Sequence, residues 1–152
     1  MKETDPTRLE WLGFADFSAA LLYEVLRLRQ AIFVVEQRCA YPDLDGRDQD
    51  ARHLLLWTGE VLAGYLRLMP FPDEARVAIG RVAVAPEFRR RGFGRRLMNQ
   101  ALRLCERQYS GHAVVLGAQT YLAGFYASLG FAAVSPPYDD YGVPHIDMAL
   151  RG

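Results

Sequence analysis

The chain has 152 residues, of which 51% are hydrophobic and 24% are charged, and this composition is close to the globular average. A domain of this length buries about two thirds of the surface that its unfolded chain exposes, so we expect residues 1–152 to form a single domain. Eighteen basic residues balance eighteen acidic ones. This balance argues against nucleic-acid and membrane partners, because proteins that bind them usually carry an excess of positive charge.

The cysteines and the amino terminus indicate a reducing compartment. Cys39 and Cys105 have no CxxC spacing and no neighbouring Cys/His cluster, so neither a disulfide framework nor a metal site is predicted. Charged residues precede the first apolar run, which argues against a signal peptide. No apolar stretch reaches the roughly 18 residues needed to cross a bilayer. We therefore expect a cytoplasmic protein.

The first predicted elements are a helix and an acidic loop. Apolar residues recur at three- and four-residue steps over residues 18–36, which predicts an amphipathic helix that Asp16 or Ser18 can cap. Residues 39–52 are rich in Pro, Gly and Asp and are typical of a loop. We expect its carboxylates to be solvated, although they could also attract a cationic amine; they are Asp43, Asp45, Asp48 and Asp50.

Three antiparallel strands are predicted next. Residues 53–57 and 61–69 are largely apolar and are joined by Thr58-Gly59-Glu60, whose glycine suits a tight hairpin. Residues 76–85 are rich in β-branched side chains and predict the third strand, which Pro86 ends.

Helices and strands alternate in the remaining sequence. The periodicity predicts a helix over 94–109, a buried strand over 113–116 and a helix over 120–129 that Gly130 ends. Two strands, 131–134 and 145–150, flank a long loop. The order of elements predicts an α/β fold in which helices pack on a central sheet that is mixed but mostly antiparallel.

The segment between the third strand and the second helix has the features of a phosphate site. It reads Arg89-Arg90-Arg91-Gly92-Phe93-Gly94-Arg95. The glycines allow successive backbone N–H groups to converge at a helix start, and the arginines add charge-assisted donors. A Walker loop would end in Gly-Lys-Ser/Thr, and a dinucleotide fingerprint would have glycine in place of Leu97. The alternative interpretation is a solvated basic patch or a nucleic-acid contact.

Two motifs resemble a known family. The pattern Arg89-x-x-Gly92-x-Gly94, which follows an apolar strand, resembles the acetyl-CoA signature of the GNAT superfamily of N-acetyltransferases. The segment Phe125-Tyr126-Ala127-Ser128-Leu129-Gly130-Phe131 resembles a second motif of that family. Residues 28–37, 41–46 and 142–146 are similar to its ElaA-like branch. The resemblance covers about residues 21–150 and implies a GNAT fold, whose central sheet splays at the cofactor site.

The resemblance also implies a reaction. Acetyl-CoA would be the co-substrate, and an acceptor amine would attack it directly in a ternary complex. The backbone of Val82, Ala83 and Val84 would bind the coenzyme, whose pyrophosphate would lie at residues 89–95. The N–H group of Val82 would polarise the thioester carbonyl. Tyr126 would protonate the departing thiolate; without the resemblance, Tyr126 would be interpreted as a core aromatic.

The group that deprotonates the acceptor stays open. Many relatives carry a glutamate at the position of Ala78, so Glu36, His53, His145 or water must act instead. We expect Glu36 to be a catalytic residue whose pKa is raised by partial desolvation. With residues 41–50 and 138–145 it would form a pocket that selects a cationic primary amine, carried by a small molecule or a peptide.

Two other functions are compatible with the sequence. Arg29-x-x-x-Phe33 and Asp43-x-Asp45-x-x-Asp48 resemble the amino-terminal half of acyl-homoserine-lactone synthases, although those enzymes have a longer carboxy-terminal half. A non-catalytic module that binds acyl-CoA is the other alternative. Association as a homodimer is compatible with either function.

Overall fold

A computed structural model describes residues 6–151 of the protein. These residues form eight strands and three α-helices, in the order β1 (Thr7–Gly13), α1 (Ala19–Gln30), β2 (Arg52–Thr58), β3 (Val61–Phe71), β4 (Arg76–Val84), α2 (Phe93–Gln108), β5 (Ala113–Gln119), α3 (Ala123–Ala127), β6 (Phe131–Ala133), β7 (Tyr138–Asp140) and β8 (Val143–Leu150). Within this part of the chain, no helix is both long and apolar enough to cross a membrane.

The strands form one open mixed sheet. Its order is β1-β2-β3-β4-β5-β8-β6, and β7 pairs with β8 beside this path. The pair β4–β5 is parallel, whereas the other pairs are antiparallel. Residues 76–78 of β4 pair with 113–115 of β5, and beyond them the two strands diverge. The predicted fold class, a mostly antiparallel sheet splayed between two strands, is therefore confirmed.

The sheet buries apolar side chains on both faces. Side chains alternate along a strand, so Leu54 and Leu56 of β2 join the core against Leu97 of α2, whereas Leu55 joins a second core with Val25 of α1. All five are nearly or completely buried. Full burial of one such side chain stabilises the fold by about 2 kcal/mol. Helices on both faces thus hold the central strands in place.

Two strands were not predicted from the sequence. The edge strand β1 pairs with β2 and places Leu9 and Trp11 against the core. The charged residues Arg8 and Glu10 alternate with them, which weakens the apolar signal. Strand β7 lies within the expected long loop, and none of its three residues is buried. Its pairing with β8, rather than its own burial, makes it a strand.

The predicted helices are less regular than expected. Ser18 does cap α1, since its Oγ accepts a hydrogen bond from the Leu21 N–H at 3.1 Å. The helix changes to π geometry over Ala31–Glu36, where the Gln37 N–H bonds the Ile32 carbonyl. Such segments often occur at functional sites. The helix expected over 120–129 is a 3₁₀ turn followed by the short α3.

The expectation that the acidic loop is solvated is wrong for three of its four aspartates. Arg29 is fully buried and donates to Asp43 Oδ2 at 3.0 Å and to Asp48 Oδ1 at 2.7 Å. Arg67 of β3 donates to Asp45 Oδ2 at 2.8 Å and to Asp48 Oδ1 at 3.1 Å. These contacts, with those of Arg81, make up the buried ion-pair network: Arg29, Arg67, Arg81, Asp43, Asp45 and Asp48.

The network keeps Asp45 and Asp48 ionised. Burial by itself would raise the pKa of Asp45, but hydrogen bonds from Arg67 and from the Arg47 backbone lower it to about 2. Burial by itself would also raise the pKa of Asp48, but the hydrogen bonds and charges of Arg29 and Arg67 together lower it. Asp50, the fourth aspartate, is exposed.

We predict that Arg29→Met destabilises the protein by about 3 kcal/mol, because it leaves two buried carboxylates short of a partner. Urea unfolding monitored by circular dichroism measures this change. Arg27→Met is the matched control, since Arg27 lies exposed on the same helix; it should change the stability by less than about 1 kcal/mol. Equal effects of the two substitutions would contradict a structural role for the network.

Candidate active site

A cavity of about 550 Å³ opens where β4 and β5 diverge. Its walls come from both strands, from Tyr126 of α3, from the β7–β8 hairpin and from Phe33 and Gln37, which lie in and just after the π-helical segment. The strand residues around it are Ile79, Gly80, Arg81, Val82, Leu116, Gly117 and Gln119. The cavity therefore exists because the sheet is splayed.

A bulge in β4 lies at this cavity, since both Arg81 and Val82 line it. The register between β3 and β4 shifts, so that Tyr65 pairs with Ala83 and Arg67 with Gly80. Arg81 and Val82 have no paired residue on β3 as a result. Arg81 has a left-handed backbone with φ +52°, which is strained for a residue with a side chain. The bulge contains Val82, whose N–H group is expected to polarise the thioester carbonyl.

The buried ion-pair network holds the bulge in this conformation. Arg81 Nε lies 2.8 Å from Asp43 Oδ1, and Nη2 donates to the Asp43 carbonyl at 3.1 Å. The guanidinium also stacks over Tyr41, 5.2 Å from the ring centre. These contacts offset the backbone strain of Arg81.

Tyr126 is buried, and its side chain lines the cavity. Phe125 and Phe131 pack edge-on against its ring, with centroids 5.1 and 6.2 Å away. Burial raises the pKa of Tyr126 to about 12, so that the phenol stays protonated at neutral pH. No hydrogen bond joins its hydroxyl to another of residues 6–151, which leaves the O–H available to a ligand.

The glycine turn, which comprises residues 89–95, forms a second, smaller cavity of about 190 Å³ at the start of α2. Gly92 is the N-cap of the helix and has φ +76°, and a Cβ built there would meet no atom within 4 Å. The first helical N–H groups have no intrahelical acceptor. Open space, free donors and the helix dipole together fit a phosphate group.

The predicted coenzyme residues are divided between the two cavities. Val82 lines the large cavity, whereas the small one is lined by Val84, Arg89, Arg90, Gly92, Phe93, Gly94 and Arg95. Ala83 is buried and pairs with Tyr65. Arg91 lies over the ring of Phe88, 5.5 Å from its centre. Arg95 donates to Ser128 Oγ at 2.9 Å and stacks on Phe125, and it thereby joins α2 to α3.

Glu36 does not line the large cavity but binds the glycine turn. Arg89 Nη1 and Nη2 each donate to one Glu36 oxygen at 2.7 Å, and Arg89 Nε donates to the Val84 carbonyl at 3.1 Å. The hydrogen bonds from Arg89 lower the pKa of Glu36, so the predicted upward shift is wrong. A role for Glu36 as proton acceptor stays a prediction. Its pairing with Arg89, outside the large cavity, does not favour that role.

The structure separates the two candidate histidines. His53 is buried, and its ring nitrogens lie 2.6 Å from Tyr65 Oη and 3.0 Å from the Asp48 carbonyl oxygen. Desolvation lowers its pKa, and it lines neither cavity. His145 lines the large cavity beside Asp140. Position therefore favours His145 as the proton acceptor.

The expected acceptor pocket is formed in part. Tyr41 and the terminal segment that includes Tyr138 and His145 line the cavity, but the aspartates of the acidic loop do not. Sequence reasoning missed Asp147 of β8, which also lines the cavity. From the sequence, only the alternation of side chains along β8 could have indicated that Asp147 lies at the cavity. Among residues 6–151 no group of three or more His, Cys, Asp or Glu side chains is arranged to hold a metal ion.

Comparisons with known proteins agree with this architecture. The model of the acetyltransferase (GNAT) domain family matches residues 28–151. Protein ElaA of Escherichia coli K12 is 42% identical over 146 residues, which cover 93% of this chain and 95% of ElaA. The ElaA crystal structure superposes with a TM-score of 0.90 at 40% identity and covers 96% of this chain and 100% of its own.

A second solved structure is similar to the same degree. An acyl-CoA N-acyltransferase from Pseudomonas aeruginosa has a TM-score of 0.89 and 38% identity, and the alignment covers 96% of this chain and 100% of that one. The family model and these relatives span nearly the whole chain, including both cavities. The protein therefore belongs to the GNAT acetyltransferase family, and within it to the ElaA-like branch.

Proposed function

We propose that this protein is an N-acetyltransferase that moves an acetyl group from acetyl-CoA to a primary amine by direct attack in a ternary complex. The observation that carries the proposal is that the Tyr126 side chain and the unpaired β4 bulge line one cavity. An acid and a backbone N–H donor at one cavity are what acyl transfer from a thioester needs. The name of the P. aeruginosa relative, an acyl-CoA N-acyltransferase, supports the choice of donor.

The glycine turn and the bulge fit opposite ends of the coenzyme. Phosphate oxygens would accept hydrogen bonds from the N–H groups at the start of α2 and from Arg90 or Arg95 at the rim. The pantetheine arm would follow the edge of β4 that β5 leaves unpaired. An N–H group at Val82 would stabilise negative charge on the carbonyl oxygen, and one such donor contributes about 3 kcal/mol.

Tyr126 would supply the proton that the departing sulfur takes. A phenol whose pKa is about 12 is a weaker acid than an ordinary thiol, whose pKa is about 8.5. Burial reduces this difference, since it also raises thiol pKa values; that of the buried Cys105 rises to about 11 in the same protein. Proton transfer from Tyr126 to a desolvated thiolate is therefore less unfavourable than in water.

We expect the purified protein to release free thiol from acetyl-CoA only when a primary amine is present. A thiol-reactive dye measures the release across a panel of small amines and short peptides. Mass spectrometry should find the acceptor 42 Da heavier, the mass of an added acetyl group. Binding of acetyl-CoA without release for any amine would instead indicate a non-catalytic module.

We predict that Gly92→Val and Gly94→Val each weaken coenzyme binding by tenfold or more, because a branched side chain would occupy the approach to the helix start. Isothermal titration with CoA measures the loss. Gly111→Val is the matched control, since Gly111 also has a positive φ, +85°, but lies at the other end of α2. An unchanged affinity in both turn variants would place the pyrophosphate elsewhere.

We predict that Tyr126→Phe lowers kcat by about a hundredfold and leaves the affinity for CoA near that of the wild type. The phenylalanine keeps the ring contacts with Phe125 and Phe131, so that only the hydroxyl is lost. Tyr109→Phe, outside both cavities, serves as the control. If Tyr126→Phe keeps the wild-type kcat, the tyrosine only packs.

A further inference from the structure

The large cavity is lined by carboxylates that no arginine neutralises. The arginines around it are already paired: Arg67 with Asp45, Arg76 with Glu74, and Arg81 with Asp43. Asp140 and Asp147 also line it, and no ion pair within residues 6–151 joins either of them to Lys or Arg. The unbalanced charge of the cavity is therefore negative.

These carboxylates belong to the β7–β8 hairpin and its continuation. In the hairpin Tyr138 pairs with His145, and Asp140 pairs with Val143 next to the turn. Tyr138 Oη donates to Asp147 Oδ1 at 2.6 Å, and its ring stacks on His145 with centroids 6.1 Å apart. Aromatic faces and carboxylates in one cavity provide both kinds of contact that bind a cation.

His145 has a defined tautomer that leaves one nitrogen free. Its Nδ1 lies 2.8 Å from the Val143 carbonyl oxygen. Because a carbonyl only accepts, the neutral ring carries its proton on Nδ1 and has its lone pair on Nε2. Nε2 lies 4.0 Å from Asp140 Oδ2, which is too far for a hydrogen bond between them.

That separation fits one ammonium group between the two atoms. A nitrogen about 2.9 Å from each acceptor makes two normal hydrogen bonds, and acceptors 4.0 Å apart then subtend an angle of about 90° at it. Two N–H bonds of a tetrahedral ammonium can meet this angle with modest bending. One acceptor is a carboxylate that holds the charge, and the other is an imidazole that can take the proton.

We propose that His145 and Asp140 form the acceptor site of the enzyme, for a primary amine that enters as an ammonium ion and carries no negative charge next to it. Asp140 draws the ammonium in, and His145 Nε2 takes its proton. Tyr138, Tyr41 and Tyr141 surround the carbon chain of the acceptor. The inference rests on the proposed function for its chemistry, but the binding of the cation can be tested without turnover.

The proton balance is complete without a further reactant. The ammonium gives one proton to His145 Nε2, from which it reaches solvent. The freed lone pair forms the C–N bond, the C–S bond breaks and its electron pair leaves with sulfur. The sulfur takes a proton from Tyr126. The acceptor nitrogen then loses its second proton, which reprotonates the tyrosine. The products are the amide, the free thiol and one H⁺.

The pH dependence of the rate tests the role of His145, with phenethylamine as the probe. His145→Gln should lower kcat/KM at least tenfold at pH 7 and recover toward the wild type near pH 9.5, where free amine is more abundant. His112→Gln, outside the cavity, is the control. A His145→Gln profile that overlays the wild type would overturn the assignment. The other titratable and charged groups that line the cavity are Asp140, Asp147, Cys39, Tyr41, Tyr126, Tyr138, Tyr141, Arg67, Arg76 and Arg81.

The substrate class is tested by charge. Asp140→Asn should raise KM for phenethylamine about tenfold with little change in kcat, whereas Asp139→Asn, which removes the same charge outside the cavity, should not. Phenylalanine, which adds a carboxylate beside the amine, should be a poorer acceptor than phenethylamine. Equal KM values for these two amines would overturn the proposed class.

A binding measurement separates this inference from the proposed function. Phenethylamine cannot be acetylated when CoA replaces acetyl-CoA, and in the CoA-bound protein it should shift the imidazole NMR signals that His145→Gln removes. Asp140→Asn should abolish this shift. If the wild type acetylates no amine, the proposed function fails, but the NMR shift still decides the cation site. Absence of the shift in the wild type would overturn the site.

Discussion

The buried ion-pair network is the constraint on which the rest of the structure depends. It joins α1 through Arg29, the acidic loop through Asp43 and Asp48, β3 through Arg67 and β4 through Arg81. Three positive and three negative side chains balance each other there, so the interior gains no net charge. Such a network is a weak source of stability but a costly one to break, because one lost partner leaves a buried charge unpaired. It therefore favours a single arrangement of the loop and the strands.

The most consequential effect of the network is at the bulge in β4. Arg81 has a backbone conformation that costs energy, and Asp43 and Tyr41 hold its guanidinium. The bulge removes Val82 from the ladder with β3. On the other edge of β4, pairing with β5 ends at Ala78 and Val115. The backbone of β4 is thus unpaired on both edges at one point, and the large cavity lies there.

The two cavities have opposite electrostatic character, and this difference suits two substrates. The small cavity has arginines and the start of a helix, which favour an anion. The large cavity has unpaired carboxylates and tyrosine rings on the hairpin side. Glu36 lies beside the small cavity and neutralises the charge of Arg89. The main effect of Arg89 is therefore to order the glycine turn. An anionic coenzyme and a cationic acceptor would approach from different sides and meet at the bulge.

The sequence by itself determined the features that depend on neighbouring residues. Gly92 and Gly94 at a helix start, the apolar runs of β2 to β4, and Tyr126 before Gly130 are all local patterns. The helix start, the strands and the place of Tyr126 at the cavity agree with them. The family resemblance rested on the same segments, and the comparisons confirmed it.

Only the tertiary structure decided which charged side chains are free. Glu36 and Arg89 are 53 positions apart, and Arg29 and Asp48 are 19 apart. The sequence shows each residue but not its partner. Two histidines that both begin or lie in strands differ completely, because packing buries His53 between Tyr65 and Asp48, whereas the hairpin places His145 in the cavity. Whether a side chain is buried, paired or open depends on contacts between distant segments, and these exist only once the sheet has formed.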